Sequence, residues 1–150
     1  DRLPPAARKC IGEVVSTARR EFCEQFPDTV LHLDFPDTDT DHAVEHGNWL
    51  LVILRELLHN AGEAAGAAGE VELTWAQAAG AKIVVTNSGL EIPADIPLAP
   101  PLPFFTRRSR HDGIGLAIVA RLCKALVAEL DIQSGSSGVT VTIESASGEW

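Results

Sequence analysis

Glu56, Asn60 and Glu63 stand at i, i+4 and i+7 within an apolar-flanked stretch. If that stretch is helical, two carboxylates and an amide share one face, with His59 beside them. Such a face offers oxygen acceptors, although on an arbitrary helix it is usually just solvated. A second chemical feature lies downstream, where Arg107, Arg108 and Arg110 cluster in a chain whose formal net charge is -9. Gly113 and Gly115 follow it and open an amphipathic pattern. Glycines there let backbone approach a ligand, and a helix N-terminus presents free amide donors and the positive end of the dipole to an anion. A solvated basic loop is the bland alternative, disfavoured by the acidic remainder of the chain and the adjacent glycines. Between these features lies Asn87-Ser88-Gly89, either an ordinary turn or a place where backbone turns tightly against a ligand.

The surrounding pattern predicts the elements that hold these residues. Pro4 and Pro5 can open a first helix in which Ile11, Val15, Ala18, Phe22 and Phe26 recur at helical spacing before Pro27. Leu31, Leu33 and Phe35 alternate with polar residues as in a half-buried strand, and a short strand is expected around Ala43 to Glu45. Asn48 is a candidate N-cap for a helix running to about Ala65, with Leu54, Leu57, Leu58 and Ala61 inward. Val71, Leu73 and Trp75, a small-residue turn, and the apolar run Lys82 to Thr86 predict an antiparallel hairpin. Five prolines from Pro93 to Pro103 require a loop. A third helix should start at Gly113 with Ile114, Ile118, Leu122 and Leu126 as its stripe, and strands around Glu129 to Gln133 and Val139 to Ser145 should close the chain.

That order predicts an α/β (α+β) two-layer sandwich, a mostly antiparallel mixed sheet of about five strands with three helices on one face. The 150 residues suit a single domain, with residues 1–28 as an N-terminal helix and 30–145 as the core. Neither long apolar stretch makes a membrane span, because charges interrupt both. Cys10, Cys23 and Cys123 are odd in number, lack metal-ligand spacing and read as buried thiols in a reducing, cytoplasmic compartment. The acidic balance argues against nucleic acid as a partner. Starting at Asp1 without a leader, the chain reads as a segment of a longer protein.

Three segments resemble one superfamily. Leu54 to Ala64 resembles the N-box of the GHKL ATPases, which include histidine kinases, gyrase-type topoisomerases, Hsp90 and MutL. Val85 to Pro93 falls at the Asp-x-Gly-x-Gly box, with Asn87 on the Asp and Glu91 on the second Gly, and Gly89 retained. Pro103 to Val119 is similar to the F-box and G2 box of sensor histidine kinases, with His111 in place of the first glycine. The three come in the family's order, and the resemblance runs from about Val30 to Ile143.

The resemblance implies a Bergerat fold that binds ATP and Mg²⁺. It places Asn60 on the metal, where an amide oxygen is a hard neutral ligand able to complete a magnesium shell of water and phosphate oxygens. It places Glu56 where hydrolytic members activate water, so that it can orient the nucleophile or hold a magnesium-bound water. Asn87 would accept from the adenine amine without the Asp charge. His59, Glu63, Gly89, Arg107, Arg108, Ser109, Gly113, Gly115 and Leu116 would complete the nucleotide site, and Phe104 or Phe105 would couple the lid to neighbouring helices. The implied reaction is γ-phosphate transfer to a histidine on adjoining dimerisation and phosphoacceptor helices of the same parent, with a response regulator downstream and no direct membrane contact from this segment, although the parent can be membrane-anchored. None of the five histidines sits in a His-Glu/Asp-x-x-x-Pro pattern, so the segment alone is not expected to autophosphorylate. Two alternatives stay open: a degenerate, nucleotide-poor regulatory module, and an anti-sigma serine kinase, which typically lacks the Phe-Phe-Thr segment.

Overall fold

In the computed structural model, which describes residues 3–35, 41–76, 81–88, 112–135 and 138–150, with side chains in the third helix from Leu116 onward, a central helix organises everything else. This is α2, Gly47–Ala65, in which Leu50, Ile53, Leu54, Leu57 and Leu58 are essentially sealed from solvent. Each such side chain contributes about 1.5–3 kcal/mol by leaving water. One flank of α2 packs on α1, Ile11–Gln25, and the other on α3, Asp112–Ala125. Beneath it lies the sheet.

The sheet has five strands: β2 (Val30–Asp34), β4 (Glu70–Ala76), β5 (Lys82–Ser88), β6 (Ala128–Gly135) and β7 (Gly138–Ser145), in the order β2-β4-β5-β7-β6. Only β2 and β4 run parallel. The hairpin β4–β5 pairs Leu73 with Val85 and Trp75 with Ile83, so the alternating residues predicted to point inward do so, and all four are buried. The two-layer sandwich with three helices is as expected. A separate pair, β1 (Lys9–Cys10) with β3 (Ala43–Val44), was half foreseen: Ala43 and Val44 are a strand, but outside the main sheet.

Four expectations are corrected. Pro4 and Pro5 do not open α1, which begins at Ile11; instead their carbonyls accept hydrogen bonds from Trp49 Nε1 and Asn48 Nδ2, each at 2.9 Å. Asn48 is not the N-cap of α2, a position held by His46 without a side-chain bond. The Asn48 side chain is committed to the N-terminal arm, accepting from the Ala7 amide at 2.8 Å through Oδ1. The thiols are not uniformly buried, since Cys123 is buried, Cys10 is half-buried and Cys23 is exposed. On α3 the innermost described side chains are Leu116, Val119, Leu122 and Cys123, with Ile118 and Leu126 only half-buried and Ile114 outside the described side chains.

After Ser88 the described structure resumes at Asp112, in the first turn of α3. The expected proline-rich loop, and with it Gly89, Glu91, Phe104, Phe105, Arg107, Arg108, Ser109, Arg110 and His111, lies outside the described residues. Among those that are described, no helix is long and apolar enough to cross a membrane.

Candidate functional site

Asn60 sits three turns into α2, flanked by Leu57, Leu58 and Ala61, which its helical phase sends inward. Only 6% of it is exposed, and among the described residues neither its Oδ1 nor its Nδ2 has a hydrogen-bond partner. A buried amide left unpaired costs about 1–3 kcal/mol, so an orphan of this kind in a helix core marks a place where a polar group is expected to arrive. One turn earlier Glu56 is half-buried, and one turn later Glu63 lies 3.1 Å from His59 Nε2. The predicted face is therefore real, with Asn60 at its inner edge.

Two features hold the C-terminal half of α2. Phe26 stacks obliquely on His59, their ring centroids 5.7 Å apart. Gly62 makes that possible, because a Cβ there would come within 2.7 Å of the Phe26 ring.

Asn87 occupies the helix-facing side of β5, in phase with Ile83 and Val85, and is 5% exposed. Its Nδ2 donates to the Ser88 carbonyl at 2.9 Å. Ser88 is itself fastened to β4, its Oγ accepting from the Glu70 amide at 3.0 Å and donating to the Glu70 carbonyl at 3.3 Å. Asn87 pairs with Val139 on β7, and Val139 packs with Leu116 and Ile132 in a small apolar cluster. Through that cluster Leu116, near the start of α3, packs against β6 and β7, and β7 is the strand that pairs with β5. The described parts of the three sequence motifs are thus on α2, β5 and α3, and α2 packs against both of the others.

No group of three or more His, Cys, Asp or Glu residues among those described can hold a metal ion by itself. The donor chemistry present suits a different arrangement. One neutral amide oxygen beside a half-buried carboxylate fits magnesium, which keeps several waters and takes few protein ligands.

Two contacts were not legible in the sequence. Arg55 Nε and a second guanidinium nitrogen donate to the two carboxylate oxygens of Glu21 on α1, at 2.6 and 2.9 Å. The hydrogen bond from Arg55, and then its charge, holds the Glu21 carboxyl below the usual carboxylate range, while Glu21 raises the Arg55 guanidinium further. The two residues are 34 positions apart, and no local pattern joins them.

A family model described as "Histidine kinase-, DNA gyrase B-, and HSP90-like ATPase" matches residues 45–147. No curated protein matches the sequence. Among solved structures, the nucleotide-free catalytic domain of histidine kinase ThkA is similar at a TM-score of 0.74 and 21% identity, over 95% of this chain and 97% of that one. The mycobacterial sensor histidine kinase MprB gives 0.70 and 20%, over 93% and 95%. The blue-light activated histidine kinase of Erythrobacter litoralis EL346 gives 0.70 and 22%, over 90% of this chain and 41% of that one. At these identities the structural likeness is one of fold.

Proposed function

Because the chain belongs to the histidine kinase-, DNA gyrase B- and HSP90-like ATPase family, we propose that it binds Mg-ATP and transfers the γ-phosphate to a histidine on an adjoining dimerisation and phosphoacceptor domain. The observation that carries this reading is Asn60, a buried amide whose two polar atoms are without partners among the described residues. Its Oδ1 would hold magnesium, which when bound neutralises phosphate charge. Asn87 would present Oδ1 to the adenine amine, because its Nδ2 is already committed to Ser88. Gly113 and Gly115, in the first turn of α3, would let backbone amides approach the phosphates. Arg107, Arg108 and Ser109 would reach the same phosphates from the lid, with Gly89 turning the chain at the adenine end and Leu116 closing the pocket. His59 and Glu63 would border it.

Transfer of this kind needs little covalent chemistry from the protein, only alignment of donor and acceptor and neutralisation of charge. Glu56 would orient the incoming nucleophile. The acceptor is supplied from outside the segment, so the chain by itself does not phosphorylate a histidine of its own. A response regulator would receive the phosphoryl group downstream, in the cytoplasm.

The degenerate regulatory module is the second reading, supported by Asn87 in place of an acid and by its amide being bonded to its own neighbour. Calorimetric titration with ATP and ADP, with and without Mg²⁺, separates the two. Saturable magnesium-dependent binding in the micromolar to sub-millimolar range supports the kinase. Absence of binding at millimolar nucleotide, about 4 kcal/mol or less of binding free energy, supports the module.

A further inference from the structure

A carboxylate presents an acceptor whichever way it is rotated, whereas an amide has an acceptor on one side and donors on the other. Asn87 can therefore tell one base from another only if something fixes which side of its amide faces the ligand. Its neighbours across the sheet do not, because the register sets it between Val71 on β4 and Val139 on β7, both buried and apolar. Among the described residues the one hydrogen bond of its side chain runs from Nδ2 to the Ser88 carbonyl at 2.9 Å. A carbonyl can only accept, so the nitrogen is held toward Ser88 and Oδ1 is turned away from it. The reverse rotation would set two oxygens against each other at a residue that is only 5% exposed.

Ser88 is exposed, yet its hydroxyl is spent on the sheet. The register between β4 and β5 ends at the pair Val71 and Asn87. One residue further on, Ser88 Oγ accepts from the Glu70 amide at 3.0 Å and donates to the Glu70 carbonyl at 3.3 Å. Both bonds reach main chain, and Glu70 is itself in register with Val30 on β2. On the β7 side Ser88 faces Gly138, so the tie made by its side chain is to β4. The hydroxyl thus fastens the very residue whose carbonyl orients Asn87.

We propose that Ser88 is a positioning residue that sets base selectivity: fastened to β4 through its hydroxyl, it holds the Asn87 amide with Oδ1 toward the base and keeps the site selective for a 6-aminopurine over a 6-oxopurine. This rests on the nucleotide reading above, in which Asn87 meets the adenine amine. A 6-amino group donates and finds Oδ1. A 6-oxo group accepts, and it meets an oxygen unless the amide turns over and gives up its bond to Ser88.

Binding alone tests this, so no phosphoacceptor is needed. Inosine diphosphate carries a 6-oxo group, with a proton on N1, where ADP carries the 6-amino group, and it adds no bulk elsewhere. In calorimetry the unaltered chain should prefer Mg-ADP to Mg-IDP by about tenfold or more. Ser88→Ala should reduce that preference to about threefold or less, mainly by tightening IDP, while Ser88→Thr keeps a hydroxyl and should retain it. In Asn87→Asp both side-chain oxygens accept, so adding Ser88→Ala to it should leave the preference unmoved. If Ser88→Ala weakens both nucleotides alike with their ratio unchanged, Ser88 is merely structural and the proposal is overturned. Equal binding of the two by the unaltered chain overturns it as well. The nucleotide-free chain gives a separate reading, because the Nδ2 protons of Asn87 should be protected from solvent exchange and lose that protection in Ser88→Ala. Equal exchange in the two proteins removes the positioning role whatever the nucleotides do. If the unaltered chain binds neither nucleotide, the nucleotide reading fails and the selectivity falls with it, whereas ADP binding without selectivity removes this proposal alone.

Discussion

Gly138 lies directly on the backbone of Asn87: a Cβ on Gly138 would stand 1.7 Å from the Asn87 carbonyl oxygen, and the glycine has φ +141°. The residue that begins β7 is therefore left without a side chain so that the end of β5 can hold Asn87 in place. Gly138→Ala must both strain its own backbone and push Asn87 away, at a cost of about 2–4 kcal/mol. Urea unfolding should show a lower midpoint with an unchanged m-value. An unshifted midpoint would mean that β5 and β7 can separate here freely.

Asn87→Asp sets two effects against each other. The new carboxylate cannot donate to the Ser88 carbonyl, so the bond at 2.9 Å is replaced by two facing oxygens, and the nucleotide-free chain should lose about 1 kcal/mol. An acid accepts more strongly than an amide from an adenine amine, so ATP should bind roughly five- to tenfold tighter. Calorimetry reads the second effect and thermal unfolding the first. Unchanged ATP affinity would locate the base elsewhere.

Burial in α3 pushes the Cys123 thiol from its ordinary 9.0 up to about 12. The folded chain keeps that proton while the unfolded chain releases it, so the associated stability is intact below about pH 9 and declines as pH rises toward 12. The loss is at most about 1.4 kcal/mol per pH unit in that window. Cys123→Ala should flatten this alkaline decline, at the expense of a small cavity. At pH 8 a thiol reagent should modify exposed Cys23 promptly and Cys123 only on unfolding. Rapid labelling of both would mean that α3 opens on the timescale of the reaction.

Much of the frame was readable because its signals are periodic. The alternation of Val71, Leu73 and Trp75 against Ile83 and Val85 gave the hairpin, and the stripe of α2 gave the face that holds Glu56 and Asn60. What escaped depends on partners remote in sequence. Pro4 and Pro5 look like helix openers until Asn48 and Trp49 are found gripping their carbonyls from more than 40 residues away. Asn48 looks like a cap for the same reason, since its own chemistry permits either use. Cys23 falls one position off the buried stripe of Ile11, Val15, Ala18 and Phe22, a phase difference too small to weigh from apolar character alone. Glu21 and Arg55 carry no signal at all until two helices are laid side by side.

Asn60 offers the sharpest separation between stability and function. Its amide is buried without partners among the described residues, a condition that costs the nucleotide-free fold about 1–3 kcal/mol. Asn60→Leu replaces that amide with an apolar side chain of similar reach among Leu57, Leu58 and Ala61. The nucleotide-free variant should therefore be as stable as the unaltered chain or more so, by about 1 kcal/mol. The same change removes the proposed magnesium ligand, so the stabilisation that Mg-ADP confers by mass action should vanish. Asn60→Asp keeps an oxygen in place but buries a charge, and should weaken Mg-nucleotide binding while also lowering stability. Thermal unfolding of all three proteins with and without Mg-ADP decides the matter. If Asn60→Leu is less stable than the unaltered chain and retains its Mg-ADP shift, the amide has a structural partner and the metal is held elsewhere.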